Sequence, residues 1–425
     1  MNDIMYENYL NLLKSELKTA LGCTEPIAVA FAAARAREIL GEFPEKAIVY
    51  CSANIVKNVK SVIVPNSGGM VGIGIAAILG IVCGESSKEL EVLEKVTDQD
   101  RLQAKYLFEA NFCECKLQEN VNNLYISVYV ESADHSAQVT VAGKHTFISK
   151  VVKDNQVLSE YKSIENETPC SKLILSVKEI IEFAKCLRIE DVKEIIGKQI
   201  SFNNAISQEG LRGRYGAEIG RLLIKHFGNG IKTRAVAAAS AGSDARMGGC
   251  PLPVVINSGS GNQGLTVSLP VLEYAKELGS TEDKTYRALA MSNLISVHIK
   301  AQIGDLSAFC GAVSASCGAG AAITYLNGGS ERQIENTIVN TIANVGGIIC
   351  DGAKASCAAK IASSVNAAIL GHLMSMDGIV FQNEEGIVQD DIESTIKSVA
   401  HIGSIGMKET DLQILKVMLK ETTFI

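Results

Sequence analysis

Tryptophan is absent from the 425-residue sequence, and aromatic residues of all kinds make up only 5% of it. A core with so few large rings has to be built mainly from Ala, Val, Ile and Leu, with close backbone contacts at glycines. Basic residues form no patch or stripe and the formal charge is −7, which argues against a nucleic-acid partner. The six histidines do not cluster near the cysteines, which weakens the case for a zinc site.

The sequence also lacks the signals of secretion and of membrane insertion. Its first residues contain no basic segment followed by an apolar one, so we expect no secretory signal. The best candidate for a membrane span, residues 68–84, has the minimum length for one and no aromatic or basic flank. We therefore predict a buried core helix at this position, in a cytoplasmic protein without a membrane partner.

Twelve cysteines are the most informative residues present. Disulfides are rare in the reducing cytosol, so a disulfide framework is not expected. Most of these thiols should be small buried groups of the core, and a minority can be metal ligands or catalytic groups. The candidates are Cys310, Cys350 and Cys357, because small neighbours let other backbone segments approach each of them. Cys317 is an alternate ligand or, on the plainer interpretation, a core residue.

Cys23 lies in the segment Gly-Cys-Thr-Glu-Pro, just before a predicted helix. Pro26 suits the first helical turn, and Thr24 is the expected N-cap residue. The helix dipole at this position should stabilise a thiolate and lower the pKa of Cys23. Glu25 is interpreted as a first-turn acid favoured by the dipole, with a role as a second base as the alternative.

Two Asn-Ser-Gly turns, at residues 63–69 and 255–261, each follow an apolar run and precede an apolar helix. Ordinary helix starts are one interpretation of both turns. The other is a pair of turns rich in N–H groups that bind a substrate carboxylate. The candidate substrate-binding residues are Asn66, Ser67, Gly68, Asn257, Ser258, Gly259 and Asn262, with Thr24 as a weaker one.

Three basic residues offer further interpretations. Arg234 or Arg246 could clamp a carboxylate with two hydrogen bonds, although an arginine on the surface is the commoner case. Lys354 lies between two of the candidate cysteines, where a pyridoxal-phosphate enzyme would use it to form a Schiff base. No glycine-rich phosphate cup lies at a convincing distance, so this route is the weaker one.

The segments GCTEP, PNSGG and NSGSGNQG, joined to C-x39-C-x6-C in the last third, resemble the L-cysteine desulfidase family. The alpha chain of the oxygen-sensitive iron–sulfur L-serine dehydratases is similar at a greater distance, and the resemblance runs nearly end to end. It implies that Cys310, Cys350 and Cys357 hold a 4Fe-4S cluster with one iron open to substrate. It also implies that Cys23 is catalytic, as a base or as a displaceable partner of the open iron.

The reaction implied by this resemblance is β-elimination from L-cysteine, which gives hydrogen sulfide, pyruvate and ammonia. An open iron would act as a Lewis acid, and the Cys23 thiolate could take the α-proton. L-serine or another β-substituted amino acid is the alternative substrate, and a non-catalytic protein that senses redox state is the alternative class. A small amino acid is the expected ligand, and the formation of a homo-oligomer is left open.

The predicted fold class is α+β and predominantly helical. Residues 116–152 alternate in polarity as three short antiparallel strands should, whereas a helical pattern dominates the C-terminal part. We expect a large helical domain that carries the cluster, made of residues 1–43 and 166–425. A smaller α/β domain with an antiparallel sheet should occupy residues 44–165. A polar linker at 154–170 should span the boundary between the two domains.

Overall fold

A computed structural model describes residues 1–161, 175–304 and 307–419 of the chain. The fold is α+β and predominantly helical, which confirms the predicted fold class. Part of the predicted linker forms an edge strand instead, and most of the remainder of that segment lies outside the described residues.

The elements follow one another with short connections. The helices of the N-terminal part are α1 (Asp3–Glu16), α2 (Thr24–Leu40), α3 (Ala53–Val59), α4 (Ile73–Cys83) and α5 (Asp98–Glu109). The strands are β1 (Thr19–Leu21), β2 (Lys46–Cys51), β3 (Cys113–Leu117), β4 (Tyr125–Glu131), β5 (Ser136–Ala142), β6 (Ile148–Lys153), β7 (Gln156–Glu160) and β8 (Pro253–Val255). The later helices are α6 (Val177–Cys186), α7 (Lys193–Arg212), α8 (Ile219–Phe227), α9 (Ile231–Met247), α10 (Gly261–Glu277), α11 (Glu282–Ile303), α12 (Gly311–Leu326), α13 (Glu331–Val345), α14 (Ser356–Met376), α15 (Ile392–His401) and α16 (Lys408–Leu419).

Six strands form one sheet in the order β3-β2-β4-β5-β6-β7. The pair β2–β3 is parallel and the other neighbouring pairs are antiparallel. Residues Ile126, Val128 and Val130 alternate along β4 and are fully buried, because this face of the sheet is covered by α2. The sheet is larger than the one predicted from residues 116–152, because β2, β3 and β7 extend it on both sides.

Helices α2 and α4 pack closely because small residues line their contact. Every residue from Ile27 to Ala34 in α2 is buried. A Cβ atom at Gly80 of α4 would lie only 2.2 Å from the carbonyl oxygen of Ala30. The predicted domain boundaries stay predictions, but α2, which they assign to the helical domain, packs against the sheet and α4.

The second part of the fold is a group of helices in which α9, α12 and α14 are central. The buried residues of α9 and α12 are largely Ala, Gly and Ser. Such small side chains let helices approach one another closely, as the scarcity of aromatic residues requires. Gly318 in α12 shows this, since a Cβ atom there would lie 2.2 Å from the carbonyl oxygen of Ser292 in α11.

One helix among the described residues, α14, is long and apolar enough to cross a membrane by length and composition. It packs against α9, α12 and α13 and therefore has the surroundings of a core helix. The apolar stretch predicted at residues 68–84 contains α4, which begins at Ile73 and is too short to pass the same test.

Replacing Gly80 by alanine tests the contact between α2 and α4. The added methyl group would meet a backbone carbonyl that cannot rotate away, so the helices have to separate. We expect Gly80→Ala to lower the free energy of unfolding by about 1–3 kcal/mol, as overpacked cores do. Gly347→Ala is the matched control, because no atom lies within 4 Å of its Cβ position. Denaturant unfolding followed by circular dichroism measures both, and equal stability of the two variants would contradict the expectation.

Candidate active site

A short backbone bridge holds Cys310 beside Cys350. The segments just before α12 and α14 pair as an isolated antiparallel bridge. In it, the amide of Cys310 donates to the carbonyl oxygen of Ile348 at 3.0 Å, and the amide of Cys350 donates to that of Ala308 at 2.6 Å. The two thiols are close enough for one to hydrogen-bond the other.

Cys357 reaches the same place through a tight turn and the first turn of α14. Gly352 in this turn has φ +96°, and a Cβ atom there would lie 2.4 Å from the carbonyl oxygen of Lys57 in α3. Only glycine combines that backbone conformation with so close an approach. The Sγ atom of Cys357 lies 3.7 Å from the carbonyl oxygen of Gly352, and Cys357 packs against the hydrophobic group that includes Cys23.

Cys23, Cys310, Cys350 and Cys357 line a single cavity of about 110 Å³, and the alternate ligand Cys317 does not. Its wall is assembled from segments far apart in the chain, including the starts of α2, α10 and α12 and the end of α9. The other polar and charged residues of the wall are Glu25, Asn54, Lys57, Asn58, Arg246, Ser260, Asn262, Gln263, Lys300 and Ser307.

Three buried cations give this cavity a positive character. Lys57, Arg246 and Lys300 are 3%, 3% and 4% exposed, respectively. Lys57 pairs with Asp411 of α16, and Lys300 Nζ donates to a backbone carbonyl oxygen at 2.5 Å. Glu25 is the carboxylate among the residues that line the cavity. Buried charges are costly unless they are paired, so the cations of this wall suit thiolate ligands and an anionic occupant.

Several buried polar atoms of the wall have no hydrogen-bond partner among the described residues. They are Nε of Arg246, Oδ1 of Asn54, Oδ1 of Asn262 and Oε1 of Gln263. An unsatisfied buried polar group costs roughly 1–3 kcal/mol. Their concentration around one cavity indicates that the polar groups of a bound molecule complete the site.

The sequence-based expectation for Cys23 was wrong in one respect. Burial raises its pKa well above the ordinary value for a thiol, and the negative charge of Glu25 adds to the effect. Desolvation and a neighbouring carboxylate therefore outweigh the helix dipole. Cys23 is itself the N-cap residue of α2, whereas Thr24, predicted in that place, is the first helical residue. The protonated thiol of Cys23 donates to Oε2 of Glu25 at 3.0 Å.

Glu25 is more than a first-turn acid, since it belongs to a hydrogen-bonded group at the cavity. Its Oε2 accepts a second hydrogen bond from the Thr24 hydroxyl at 3.1 Å. Burial by itself would raise the pKa of Glu25, but the charge of His145, the hydrogen bond from Cys23 and the charge of Arg246 together lower it. Glu25 is therefore ionised, and its carboxylate accepts the hydrogen bonds of Cys23 and Thr24.

The pKa values of Cys310 and Cys350 are shifted in opposite directions, because the two thiols are hydrogen-bonded to each other. The hydrogen bond from Cys310 lowers the pKa of Cys350 to about 6, against the opposing effect of burial, and the charges of Lys57 and Lys300 also lower it. The same hydrogen bond raises the pKa of Cys310, and burial adds to this effect. The thiolate therefore resides on Cys350, and a thiolate is the form of cysteine that binds metal.

The second Asn-Ser-Gly turn supports the cavity. Asn262 lines the cavity, as a substrate-binding role requires. Asn257 accepts a hydrogen bond from Ser258 at 3.0 Å and donates to Oδ1 of an asparagine in α11 at 3.0 Å. The carbonyl oxygen of Gly259 accepts a hydrogen bond from Thr24 at 2.9 Å. Gly259 therefore joins the turn before α10 to the start of α2, and Asn257 joins the same turn to α11.

The first Asn-Ser-Gly turn is not brought to the cysteines. Asn66, Ser67 and Gly68 line a different cavity, of about 330 Å³, together with Arg101. The Asn66 side chain donates to the carbonyl oxygen of Leu93 at 2.9 Å, and the Ser67 hydroxyl donates to that of Met70 at 2.9 Å. These hydrogen bonds give the two side chains a local structural role.

The basic residues considered in the sequence are also separated by the structure. Arg246 is buried in the cavity wall, whereas Arg234, near the other end of α9, pairs with Glu273 and Glu277. Lys354 lies 3.3 Å from a carboxylate oxygen of Asp351 and is not among the residues that line the cavity.

Sequence reasoning missed the two lysines of the wall, Lys57 and Lys300. A signal was available for Lys300, because it follows the run Leu-Ile-Ser-Val-His-Ile inside a helix. A charged residue in so apolar a run is expected to have a specific partner or function. Lys57 offered no such signal, because its short helix contains other polar residues on several sides.

The donor set fits an iron–sulfur cluster better than it fits a single ion. Among residues 1–161, 175–304 and 307–419, no group of three His, Cys, Asp or Glu side chains is arranged to hold one metal ion. In a cluster each cysteine binds a different iron, so the ligands need not converge on one point. Cys310, Cys350 and Cys357 around a positively charged cavity meet the requirements of an anionic, thiolate-bound group.

A comparison with family models matches residues 87–416 to the serine dehydratase alpha chain. The chain belongs to the serine dehydratase alpha-chain family. The matched segment contains Cys310, Cys350 and Cys357, and Cys23 precedes it. The resemblance that the motifs predicted is therefore confirmed at the level of the family.

This member of the serine dehydratase alpha-chain family is also similar to several UPF0597 proteins. That of Desulfitobacterium hafniense (strain Y51) is 50% identical over 421 residues, which cover 99% of this chain and 98% of the relative. That of Lachnoclostridium phytofermentans is 50% identical over 417 residues, with 98% and 100% covered. That of Bacteroides thetaiotaomicron is 38% identical over 416 residues, with 96% of each covered. The first two similarities extend through the segment that carries Cys23.

Alkylation of metal-free protein tests the assignment of the thiolate to Cys350. Only thiolates react quickly, so modification of Cys350 by iodoacetamide should have its midpoint near pH 6. Cys310→Ala should move that midpoint upward, because the hydrogen bond that stabilises the thiolate is lost. Peptide mass spectrometry after brief alkylation at several pH values gives the midpoints.

The matched control is Cys317→Ala, which removes a fully buried thiol of α12 that does not line the cavity. It should leave the midpoint of Cys350 unchanged. A midpoint close to the ordinary thiol value of about 8.5 in the unaltered protein would contradict the assignment.

Proposed function

We propose that this protein is a lyase that eliminates hydrogen sulfide from L-cysteine, with pyruvate and ammonia as the final products. Membership of the serine dehydratase alpha-chain family supports a lyase of that general type. The observation that carries the proposal is the meeting of Cys23, Cys310, Cys350 and Cys357 at one positively charged cavity. L-serine is the second candidate substrate, favoured by the description of the matched family.

We propose Cys310, Cys350 and Cys357 as the ligands of a 4Fe-4S cluster. When bound, the cluster would supply a Lewis acid that can stabilise negative charge on the departing sulfur. The protein prepares this site by bridging Cys310 to Cys350 through backbone hydrogen bonds and by setting the charges of Lys57 and Lys300 near Cys350.

Cys23 and Glu25 are proposed to transfer the protons of the reaction. The α-proton of the substrate moves to Sγ of Cys23 as the thiol proton of Cys23 passes to Oε2 of Glu25, 3.0 Å away. The electron pair of the broken Cα–H bond forms the Cα–Cβ double bond, and the Cβ–S bond breaks with its electrons on sulfur. Glu25 then returns a proton to the departing hydrosulfide, which leaves as hydrogen sulfide and restores the ionised carboxylate.

The remaining organic product is 2-aminoacrylate, which needs no further catalyst. It tautomerises to an imine, and one water molecule converts the imine to pyruvate and ammonia. Overall, one L-cysteine and one water give one hydrogen sulfide, one pyruvate and one ammonia.

We also propose a cytoplasmic location and a free amino acid as the ligand, without nucleic-acid or membrane partners. The described cysteines are all free thiols, which suits a reducing compartment. The acidic balance of the whole sequence and its lack of basic clusters agree with the absence of a nucleic-acid partner.

Anaerobic preparation followed by analysis of iron and product tests the proposed activity. The protein should contain about four iron atoms and four sulfides per chain, as expected for one cluster of this type. It should release sulfide and pyruvate in equal amounts from L-cysteine. Faster formation of pyruvate from L-serine would instead identify a serine dehydratase. Iron-free protein that reacts with neither amino acid would refute the proposal.

Cysteine variants test the ligands separately from catalysis. Cys310→Ala, Cys350→Ala and Cys357→Ala should each lose most of the iron and the visible absorption of the cluster. Cys317→Ala should retain both, because Cys317 is buried outside the cavity. Full iron content in any of the first three variants would remove that residue from the ligand set.

Replacement of Cys23 tests its role in proton transfer. We expect Cys23→Ala to keep its iron but to lower kcat by about 100-fold or more, the usual contribution of a positioned acid–base group. Cys250→Ala is a suitable control, since Cys250 is a buried thiol that does not line the cavity. Iron content and the rate of pyruvate release are the two measurements, and an unchanged kcat in Cys23→Ala would rule out the assigned role.

A further inference from the structure

Arg246 is a buried cation that forms no ion pair among the described residues, although its charge acts on Glu25 and Cys23. It lies at the end of α9, is 3% exposed and lines the cysteine cavity. Its Nε atom has no hydrogen-bond partner among the described residues. Arg234, on the same helix, forms two ion pairs. A buried guanidinium without such a pair is costly and indicates an anion that is supplied from outside the chain.

The start of α10 makes room for this guanidinium. A Cβ atom at Gly261 would lie 2.3 Å from Nε of Arg246, so any larger residue would displace the side chain. Glycine at this position therefore lets Arg246 lie against the backbone of the cavity wall. The arginine is accommodated closely and yet remains unsatisfied, which is the arrangement expected of a ligand-binding group.

Two hydrogen-bond acceptors lie next to Arg246 in the same wall. Asn262 and Gln263 follow Gly261 directly, and Oδ1 of Asn262 and Oε1 of Gln263 have no donor among the described residues. Sulfides and cysteine thiolates only accept hydrogen bonds, so a cluster cannot satisfy these oxygens. A molecule that brings both a carboxylate for the arginine and a donor for the amides can do so.

We propose that Arg246, Asn262 and Gln263 form the subsite for the α-carboxylate and α-ammonium groups of the substrate. The planar guanidinium binds the carboxylate through two parallel hydrogen bonds, and the amide oxygens accept hydrogen bonds from the ammonium group. The proposal rests on the proposed function, since it identifies the ligand as a free α-amino acid. It assigns the carboxylate to a buried arginine in place of the first Asn-Ser-Gly turn.

The subsite predicts selectivity for zwitterions, which can be measured without turnover. L-Alanine has both charged groups and no leaving group at Cβ, propionate lacks the ammonium group, and ethylamine lacks the carboxylate. The holoenzyme, kept anaerobic, should bind L-alanine more tightly than either of the other two in titration calorimetry. Equal affinity for all three, or no binding of L-alanine, overturns the proposal.

Variants test which residues bind the carboxylate group of the ligand and which bind its ammonium group. Arg246→Gln should weaken binding of L-alanine and propionate by about tenfold or more, the effect of losing a charge-assisted pair of hydrogen bonds. Asn262→Ala should weaken the binding of L-alanine and leave the binding of propionate unchanged. Arg234→Gln, on the same helix but outside the cavity, should leave both affinities unchanged. Wild-type affinity for L-alanine in Arg246→Gln overturns the proposal.

Iron content separates this subsite from a role in holding the cluster. Arg246→Gln should keep its iron, and loss of the iron would show that Arg246 serves the cluster and would overturn the subsite. Gly261→Ala is the second variant, because it moves the guanidinium without removing its charge and should also weaken L-alanine binding. Iron retention and cooperative thermal unfolding in either variant show that it is folded.

The subsite and the proposed reaction fail in different ways. If the holoenzyme binds L-alanine through Arg246 but releases no sulfide from L-cysteine, the subsite is supported and the proposed reaction is refuted. If the holoenzyme releases sulfide and Arg246→Gln retains wild-type KM and wild-type affinity for L-alanine, the proposed reaction is supported and the subsite is refuted.

Discussion

The backbone bridge between Phe309 and Ile349 is the constraint on which the candidate site depends. It aligns the residues just before α12 with those just before α14, and this alignment sets Cys310 beside Cys350. Because the link consists of main-chain hydrogen bonds, it does not require a metal to form. Two of the proposed ligands are therefore held together by the backbone itself, which lowers the cost of ordering them.

The sequence was most informative where chemistry depends on residue type and spacing. The helical character of the chain was predicted correctly because it is a local property, and the four cysteines that the motifs singled out line one cavity. The pKa of Cys23 was not, because the helix dipole is visible in the sequence whereas the burial of Cys23 and its contact with Glu25 are not. The two Asn-Ser-Gly turns have similar sequences. Only tertiary packing decides that Asn66 lies outside the cavity while Asn262 lines it.

The charges of the cavity act in complementary ways. The hydrogen bond from Cys310 and the charges of Lys57 and Lys300 lower the pKa of Cys350, whereas burial and the charge of Glu25 raise that of Cys23. Two cysteines that share one small space are thus held in opposite protonation states by different neighbours. Lys57 also pairs with Asp411, so the last described helix is connected to the charge balance of the cavity.

The wall of the cavity draws on residues from Cys23 to Ile361. Contacts over so long a stretch of chain form late, because the loops between them must close first. During synthesis, a ribosome-bound chain that has not yet emerged past α14 has no complete cavity. Any group that binds in the cavity must therefore arrive after nearly the whole polypeptide has been made and has folded.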